Sequence, residues 1–208
     1  MSFATVFIVD DDASFLRGIS RLLRAAGHTV QAYSSAEEFL QQISPAMPGC
    51  VVADLQMPGL NGLQLQEALR QADNPLPIVF LTGQGDIPAS VRAMRGGAED
   101  FLTKHAPKED VLAAVGRALE RDAAERRRRE HLRNLRDRFA ALSARETEVL
   151  AQVVRGKLNK QIAADLGIHE RTVKLHRTSI TSKLRVRSVA ELTRLTAEAG
   201  LFTDAALE

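Results

Sequence analysis

The stretch Val51-Val52-Ala53-Asp54-Leu55-Gln56-Met57-Pro58-Gly59 decides how this 208-residue chain folds. It begins as a short apolar run, which is typical of a strand covered on both faces of a parallel sheet, and Pro58 and Gly59 end it. The run carries an acid, Asp54, at its carboxyl end. Ligands of open parallel sheets bind beyond the carboxyl ends of the strands. Asp54 is therefore the first candidate functional residue.

Outward from this run, β-branched segments alternate with helical patterns over the first 105 residues. The predicted strands are Thr5–Val9, Thr29–Tyr33, 50–54, Ile78–Thr82 and 100–102. The predicted helices are 13–26, 36–43, Gly62–Gln71, Ile87–Arg95 and a fifth that begins near Lys108. Strands that alternate with helices in this way predict an α/β fold with a doubly wound, five-stranded parallel sheet.

The rest of the chain is predicted to be helical throughout. One long helix covers 108–139 and contains the basic run Arg126-Arg127-Arg128-Arg129, followed by short helices within 142–200. We interpret the basic run as a solvated, mixed-charge linker, since Asp122 and other acids lie at helical spacing; direct DNA contact is the alternative. These patterns predict three parts: a domain at 1–120, a charged helical linker at 121–140 and an all-α domain at 141–208.

The net charge of +2 conceals an asymmetry between the two halves. Residues 1–120 hold 9 basic and 14 acidic residues, whereas residues 121–208 hold 19 and 12. An acidic half joined to a basic half indicates a cation site in one and a polyanion partner in the other. The single cysteine, Cys50, lies in an apolar run and is expected to be a buried hydrophobe. Without a signal peptide or an apolar stretch of ~20 residues, the protein is expected in the cytoplasm, away from membranes.

Acids follow two of the predicted strands where neighbouring strand ends converge. Asp10, Asp11 and Asp12 follow the first strand, and Asp54 follows the third. Crowded carboxylates repel each other and need a counter-charge, which a hard cation such as Mg²⁺ supplies through oxygen ligands. Thr82 ends the fourth strand and Lys104 follows the fifth. A cation, a hydroxyl and an ammonium around one aspartate suit phosphoryl transfer, with Asp54 as the nucleophile.

The basic half predicts a helix-turn-helix within a group of four short helices. Ser143 and Glu146 form a capping box, Gly156 ends that helix, and Asn159 is expected to cap the next one. A turn at Gly167 then leads to a basic helix, Glu170–Leu184, which is sized for the major groove of DNA. A last helix is predicted at 189–199.

The strand-end residues of the first half resemble the receiver domain of two-component response regulators, which has a flavodoxin-like fold. The motif residues are Asp10, Asp11, Asp54, Thr82 and Lys104. The resemblance implies that Asp54 is phosphorylated and that Mg²⁺ is held by Asp11 directly, by Asp10 mainly through water, and by Asp54 and the carbonyl of Gln56. It also implies that Thr82 and Lys104 grip the phosphoryl group. Phe101 matches an aromatic switch position, with plain core packing as the alternative.

The segments at 142–146, 159–163 and 172–177 resemble the LuxR-type output domain, so the whole chain resembles the NarL/FixJ family of transcription regulators. The resemblance implies that Lys174, Leu175 and Thr178 face base edges, and that Lys160, Arg177 and Lys183 lean toward phosphates. Leu192 and Leu195 would be either dimer contacts or core residues of the domain. The implied partners are a sensor histidine kinase, a double-stranded DNA operator and a second copy on activation, with RNA polymerase as a further candidate.

One position departs from the receiver pattern. Lys104 is followed by His105 rather than proline, and the proline comes only at Pro107. A cis peptide before His105 would cost about 3 kcal/mol, so we expect a trans loop, with the direction of the Lys104 side chain left open. The hypothesis is that phosphorylation is retained but that its lifetime or its coupling to output is altered. A second hypothesis places His105 itself in the pocket.

Two other functions compete with a phosphorylation switch. The motif Asp10-Asp11-Asp12-Ala13-Ser14 faintly resembles the haloacid-dehalogenase phosphohydrolases, in which Asp10 would be the nucleophile. That interpretation leaves the basic domain unexplained, and we expect no enzyme activity of this kind. In the second alternative function, the protein has the same fold but binds DNA regardless of phosphorylation. The replacement of proline by His105 is the reason to consider this alternative.

Overall fold

The computed structural model describes residues 4–83 and 87–201. The chain packs into two compact units, one of residues 1–126 and the other of residues 127–208. The predicted domain limits, 120 and 140, fall on either side of the division between these units.

A five-stranded parallel sheet forms the centre of the first unit. Its strands are β1 (Thr5–Val9), β2 (Thr29–Tyr33), β3 (Gly49–Ala53), β4 (Ile78–Thr82) and β5 (Asp100–Thr103), in the order β2-β1-β3-β4-β5. All neighbouring strands are parallel. The predicted sheet is confirmed, although β3 begins one residue earlier than expected and leaves Asp54 just beyond its end. This order brings the carboxyl end of β3 between those of β1 and β4.

Helices cover both faces of this sheet. They are α1 (Ala13–Ala25), α2 (Ala36–Gln42), α3 (Gly62–Gln71), α4 (Ile87–Arg95) and α5 (Lys108–Ala140). Successive strand residues point to opposite faces, so Phe7 packs into a core with α2, α3 and α4, whereas Ile8 packs into a second core with α1 and α5. Cys50 is fully buried in this second core, and burial raises the pKa of its thiol to about 12. The cysteine is thus a packed, unreactive side chain.

Helix α5 continues through the predicted linker, and the first arginine of the basic run is bound within the first unit. The Nε atom of Arg126 donates to both carboxylate oxygens of Asp122, at 2.9 and 2.8 Å. Its Nη atoms donate to the carbonyls of Pro45, Ala46 and Met47. Asp122 was expected to supply a partner at helical spacing, and it does. Arg126, however, is no freely solvated linker residue, because it also donates to three backbone carbonyls of the α2–β3 loop.

Four short helices fill the described part of the second unit beside the end of α5. They are α6 (Ala144–Val154), α7 (Asn159–Leu166), α8 (Glu170–Leu184) and α9 (Val189–Glu198). Their core includes Leu150, Ile162, Val173 and Ile180. The capping box of Ser143 and Glu146 is confirmed. The predicted cap at Asn159 is wrong, because α7 already begins there and Leu158 is its N-cap residue. None of the helices in residues 4–83 and 87–201 is long and apolar enough to cross a membrane.

Candidate functional site

The carboxyl ends of β1 and β3 bring three acids together in the first unit. Carboxylate oxygens of Asp10, Asp11 and Asp54 all lie within 4.8 Å of one another. Asp10 and Asp54 are almost fully buried, at 1% and 6% exposure, whereas Asp11 is exposed. Asp12 is directed elsewhere: its side chain caps α1 by accepting from the backbone N–H groups of Ser14 and Phe15. We call Asp10, Asp11 and Asp54 the acidic cluster.

Lys104 reaches directly into the acidic cluster. Its ammonium lies 2.7 Å from Oδ2 of Asp10 and 2.8 Å from Oδ2 of Asp54, and it stacks over the ring of Phe15. Burial alone would lower the pKa of Lys104, but the two carboxylates outweigh burial and raise it. Burial raises the pKa of Asp10, and the nearby charge of Asp54 adds to this effect, which Lys104 and the Asp12 N–H only partly oppose.

The loop that carries Lys104 is held by backbone hydrogen bonds, without a proline directly after the lysine. Every peptide bond in the described residues is trans, as we expected for His105. The Lys104 N–H donates to the carbonyl of Thr82, which ties the loop to β4 at 2.8 Å, and the Ala106 N–H donates to Thr103. The imidazole of His105 is exposed and is not part of the acidic cluster. The hypothesis that His105 lines the pocket therefore finds no support in this conformation.

The residues of the acidic cluster fit a hard divalent cation. Oδ2 of Asp10 is buried and receives no well-directed hydrogen bond from the described residues, although the Lys104 ammonium lies close to it. Two buried carboxylates supply negative charge, and the exposed Asp11 leaves one side of the cluster open to water. Mg²⁺ binds one or two carboxylates and keeps several waters, so the oxygen donor set matches its requirements.

The loop after Asp54 is shaped by contacts at both ends. The Gln56 N–H donates to Oδ1 of Asp54 at 3.2 Å, and the Gly62 N–H donates to the carbonyl of Leu55 at 3.0 Å. Gly62 has no room for a side chain, because a Cβ would meet the Asp54 carbonyl and the Phe80 ring. Asn61 and Gln64 then form a capping box that starts α3. Gln56, the candidate carbonyl ligand, is thus held next to the cluster.

The candidate switch residues lie on β4 and β5. Thr82 is 1% exposed at the end of β4, and Phe101 is partly buried. The ring of Phe101 lies 6.2 Å from that of Phe80, so it packs on the core of the first unit. Core packing accounts for Phe101 as it is placed here, and its role as a switch stays a prediction.

In the second unit, α7 and α8 present the helix-turn-helix. Gly167 adopts a left-handed conformation at the turn between them, with φ 62°. Val173, Ile180 and Leu184 bury one face of α8, as the sequence pattern predicted, with His176 only partly buried. The opposite face is polar except for Leu175, which is 64% exposed. The Thr178 hydroxyl donates to the carbonyl of Lys174.

The basic residues assigned to DNA differ in how they are held. Lys160 is exposed, and Lys174 makes only a loose ion pair with Glu170 at 3.5 Å. Arg177 donates to the side chain of Asn159 at 3.1 Å, a contact that sequence reasoning missed because it assigned Asn159 to a cap. Lys183 donates to the buried Glu146 at 2.7 Å, and that ion pair competes with any phosphate contact.

Glu146 and α9 serve the core of the second unit. Lys183 and the hydroxyl of Ser179 both donate to Glu146, and with the Ser143 N–H they hold the pKa of its carboxyl at about 2. Leu192 and Leu195 on α9 are buried, at 2% and 7% exposure. The structure supports core packing for these two leucines, and they offer little surface to a second copy.

Comparison with known families identifies both halves. Residues 6–116 match the response regulator receiver domain. Residues 140–196 match the bacterial regulatory proteins of the luxR family.

Several known proteins are similar to this chain over nearly its whole length. Nodulation protein W of Bradyrhizobium diazoefficiens is 44% identical, over 95% of this chain and 87% of its own length. Response regulator protein TodT of Pseudomonas putida is 39% identical, over 93% of this chain and 85% of its own. Among solved structures, response regulator StyR is 45% identical with a TM-score of 0.88, covering 94% of this chain and 99% of its own. Full-length FixJ of B. japonicum is 32% identical with a TM-score of 0.58, covering 98% and 100%.

Proposed function

Because the chain belongs to the two-component response regulators that join a receiver domain to a LuxR-type DNA-binding domain, we propose that Mg²⁺-dependent phosphorylation of Asp54 switches its binding to DNA. A sensor histidine kinase is the proposed phosphoryl donor. The observation that carries this proposal is the placement of Asp54 at the end of β3, with Lys104 2.8 Å away and two further carboxylates beside it.

The chemistry follows from the charges around Asp54. One carboxylate oxygen of Asp54 attacks the phosphorus of a phosphohistidine, the P–N bond breaks, and an aspartyl phosphate forms. The ammonium of Lys104 lies where it would pair with an oxygen of the transferred group, and the Thr82 hydroxyl at the neighbouring strand end is the proposed second donor. Bound Mg²⁺ would neutralise charge on the carboxylates and on the phosphoryl oxygens. Asp10, Asp11, Asp54 and the Gln56 carbonyl are its proposed ligands.

To affect DNA binding by the second unit, phosphorylation of Asp54 must shift the equilibrium between conformations of the receiver domain. The phosphoryl group would take over part of the ion pairing that Lys104 now gives to Asp10 and Asp54. We propose that this exchange favours a receiver state that forms a homodimer; a shift of a few kcal/mol is sufficient. Phe101, whose ring packs beside Phe80, is the proposed switch side chain.

For the second unit we propose binding to the major groove of a DNA operator. The exposed face of α8 supports this assignment, with Lys174, Leu175 and Thr178 as base-edge candidates. Lys160, Arg177 and Lys183 are phosphate candidates. A dimer of this unit suits a two-fold operator with half-sites about one helical turn apart. RNA polymerase remains a candidate partner, and the cytoplasmic location stays a prediction.

Both competing functions lose support. In a phosphohydrolase, Asp10 would have to be the nucleophile, and the LuxR-type half would have no role. The chain belongs instead to a family of transcription regulators, whose function accounts for that half. Phosphorylation-independent binding was suggested by the missing proline after Lys104. The Lys104 ammonium nevertheless lies within 2.8 Å of two carboxylates, which supports a competent pocket.

The test compares wild-type protein with Asp54→Asn after incubation with Mg²⁺ and beryllofluoride, a phosphoryl mimic. Light scattering measures mass, and phosphate-affinity electrophoresis after treatment with a small phosphodonor detects the acyl phosphate. We expect phosphorylation and a monomer-to-dimer shift in the wild type alone. Phosphorylation that persists in Asp54→Asn, or none in either protein, would contradict the proposal.

A further inference from the structure

We propose that Glu37 on α2 positions the loop that follows Asp54, and that this loop presents its Mg²⁺-binding carbonyl correctly only while Glu37 holds it. The inference rests on the proposed phosphorylation site at Asp54 and adds a positioning residue from a helix that supplies none of the acidic cluster.

The contact is a hydrogen bond between α2 and the loop tip. The Leu60 N–H donates to Oε1 of Glu37 at 2.8 Å. The start of the loop is held separately, by the Gln56 N–H on Asp54, and its end by the Gly62 N–H on Leu55. Glu37 therefore holds the middle of a loop whose two ends are already attached around Asp54.

The loop has a glycine where the Glu37 carboxylate approaches it. Gly59 adopts φ 75°, a left-handed conformation that side chains disfavour. A Cβ at Gly59 would collide with the carboxylate of Glu37. The close approach and the backbone conformation thus require glycine at the same position.

Helix α2 gives Glu37 a fixed base. Its neighbours Ala36 and Phe39 are fully buried, and the ring of Phe39 packs against those of Phe7 and Tyr33. Hydrogen bonds from its own backbone N–H and from that of Leu60 hold the pKa of Glu37 below its usual range, so the carboxylate is ionised at neutral pH. The acceptor is therefore charged and attached to a packed helix.

A backbone carbonyl can be aimed only by the conformation of its loop. Gln56 lies between Asp54, which accepts from its N–H, and Leu60, whose N–H donates to Glu37, so loss of the Glu37 contact would leave the direction of the Gln56 carbonyl less restricted. Groups that orient metal ligands typically change metal affinity by about 10- to 100-fold when they are removed. One of several ligands is affected here, so we expect Mg²⁺ affinity to fall by about tenfold in Glu37→Ala.

Titration calorimetry of the unphosphorylated, full-length protein with Mg²⁺ tests this inference without any readout of activity. Glu38→Ala is the matched control: Glu38 accepts from the N–H and hydroxyl of Ser34, and it has the same charge at the same helix start without touching the loop. We expect Glu38→Ala to bind Mg²⁺ like the wild type. We expect Glu37→Gln to retain most of the affinity, because an amide oxygen still accepts from Leu60.

A second measurement follows phosphorylation by a small phosphodonor as a function of Mg²⁺ concentration. In Glu37→Ala, the Mg²⁺ concentration that gives half-maximal phosphorylation should rise by about tenfold, and the maximal extent of phosphorylation should be unchanged. If Glu37→Ala fails to fold, Gly59→Ala is the second variant, and it should weaken Mg²⁺ binding by displacing the carboxylate. A wild type that neither binds Mg²⁺ nor is phosphorylated would overturn the proposed function itself. A wild type that binds, with Glu37→Ala within about twofold of it, would overturn only the role of Glu37. Equal weakening in Glu37→Gln and Glu37→Ala would also overturn it, because long-range charge would then explain the effect.

Discussion

Replacing Arg126 by alanine should destabilise the unit of residues 1–126. Its guanidinium joins Asp122 on α5 to three backbone carbonyls of the α2–β3 loop, at Pro45, Ala46 and Met47. Asp122 is 2% exposed and also accepts from the Gly49 N–H at 2.9 Å. The substitution would leave the buried carboxylate of Asp122 with the Gly49 N–H as donor and without the charge of Arg126.

The magnitude follows from what remains buried. Removal of one partner from a buried ion pair costs about 3–5 kcal/mol. The Arg126 side chain is 23% exposed, so water can reach part of the gap, and we expect the lower end of that range. Lysine keeps the charge but not the planar fork that serves a carboxylate and three carbonyls together, so Arg126→Lys should lose about 1–2 kcal/mol.

Scanning calorimetry of the full chain provides the measurement. For a unit of this size, each kcal/mol lowers Tm by about 3–5 °C, so Arg126→Ala should lower the first unit's Tm by about 10 °C. Arg127→Ala is the control, because Arg127 is exposed and should change stability by less than about 0.5 kcal/mol. If Arg126→Ala unfolds within about 2 °C of the wild type, the assignment of a buried, stabilising ion pair is wrong.

Three further predictions concern acid stability, packing and DNA. Lys183 and Ser179 hold the pKa of Glu146 at about 2, below its ordinary 4.5. The stability that ionised Glu146 gives to the second unit is therefore complete above pH 4.5 and is lost as the pH falls from 4.5 towards 2. Glu146→Gln should therefore flatten the acid-unfolding curve of the second unit in that window, and an unchanged slope would count against the assignment. Gly62→Ala should cost about 1–3 kcal/mol in urea unfolding, since its Cβ would press on the Asp54 carbonyl and the Phe80 ring. Gly18→Ala, in open space on α1, should instead stabilise by about 0.5–1 kcal/mol; equal effects would refute this packing argument. The DNA prediction is measured on a duplex selected from random sequence, as the slope of the logarithm of the binding constant against the logarithm of salt concentration. Lys160→Ala should reduce the magnitude of this slope by about one, whereas Leu175→Ala should leave the slope unchanged. An unchanged slope in Lys160→Ala would remove Lys160 from the phosphate contacts.

Much of the site was predictable because strand ends in a parallel sheet converge. The sequence places Asp10 and Asp54 directly after apolar runs, and strand order β2-β1-β3-β4-β5 then makes them neighbours. The role of Asp12 was less clear from the sequence, because Asp10, Asp11 and Asp12 are three successive acids and the sequence does not distinguish a pocket residue from a helix cap. Its role as the cap of α1 depends on the backbone direction after β1, which only the folded chain defines.

The direction of Lys104 could not be predicted. The sequence showed that the usual proline is replaced by His105, and it left the path of the loop open. The structure resolves this through a backbone hydrogen bond from Lys104 to Thr82, which fixes the loop on β4 without help from a proline. Similarly, Asn159 was predicted as a cap because its side chain suits that role. Instead, α7 begins at Asn159 itself, with Leu158 as its N-cap residue, and the Asn159 side chain accepts from Arg177.

By itself the sequence determined the parts that depend on local pattern: five strands alternating with helices, a basic helix-turn-helix, and an acidic cluster at strand ends. These follow from the periodicity of apolar residues and from turn chemistry, which act over a few neighbouring positions. Only the tertiary structure decided the contacts between distant segments, such as Glu37 on Leu60 and Arg126 on the α2–β3 loop. Those contacts join charged side chains to backbone groups, and backbone groups carry no sequence signal because every residue has them.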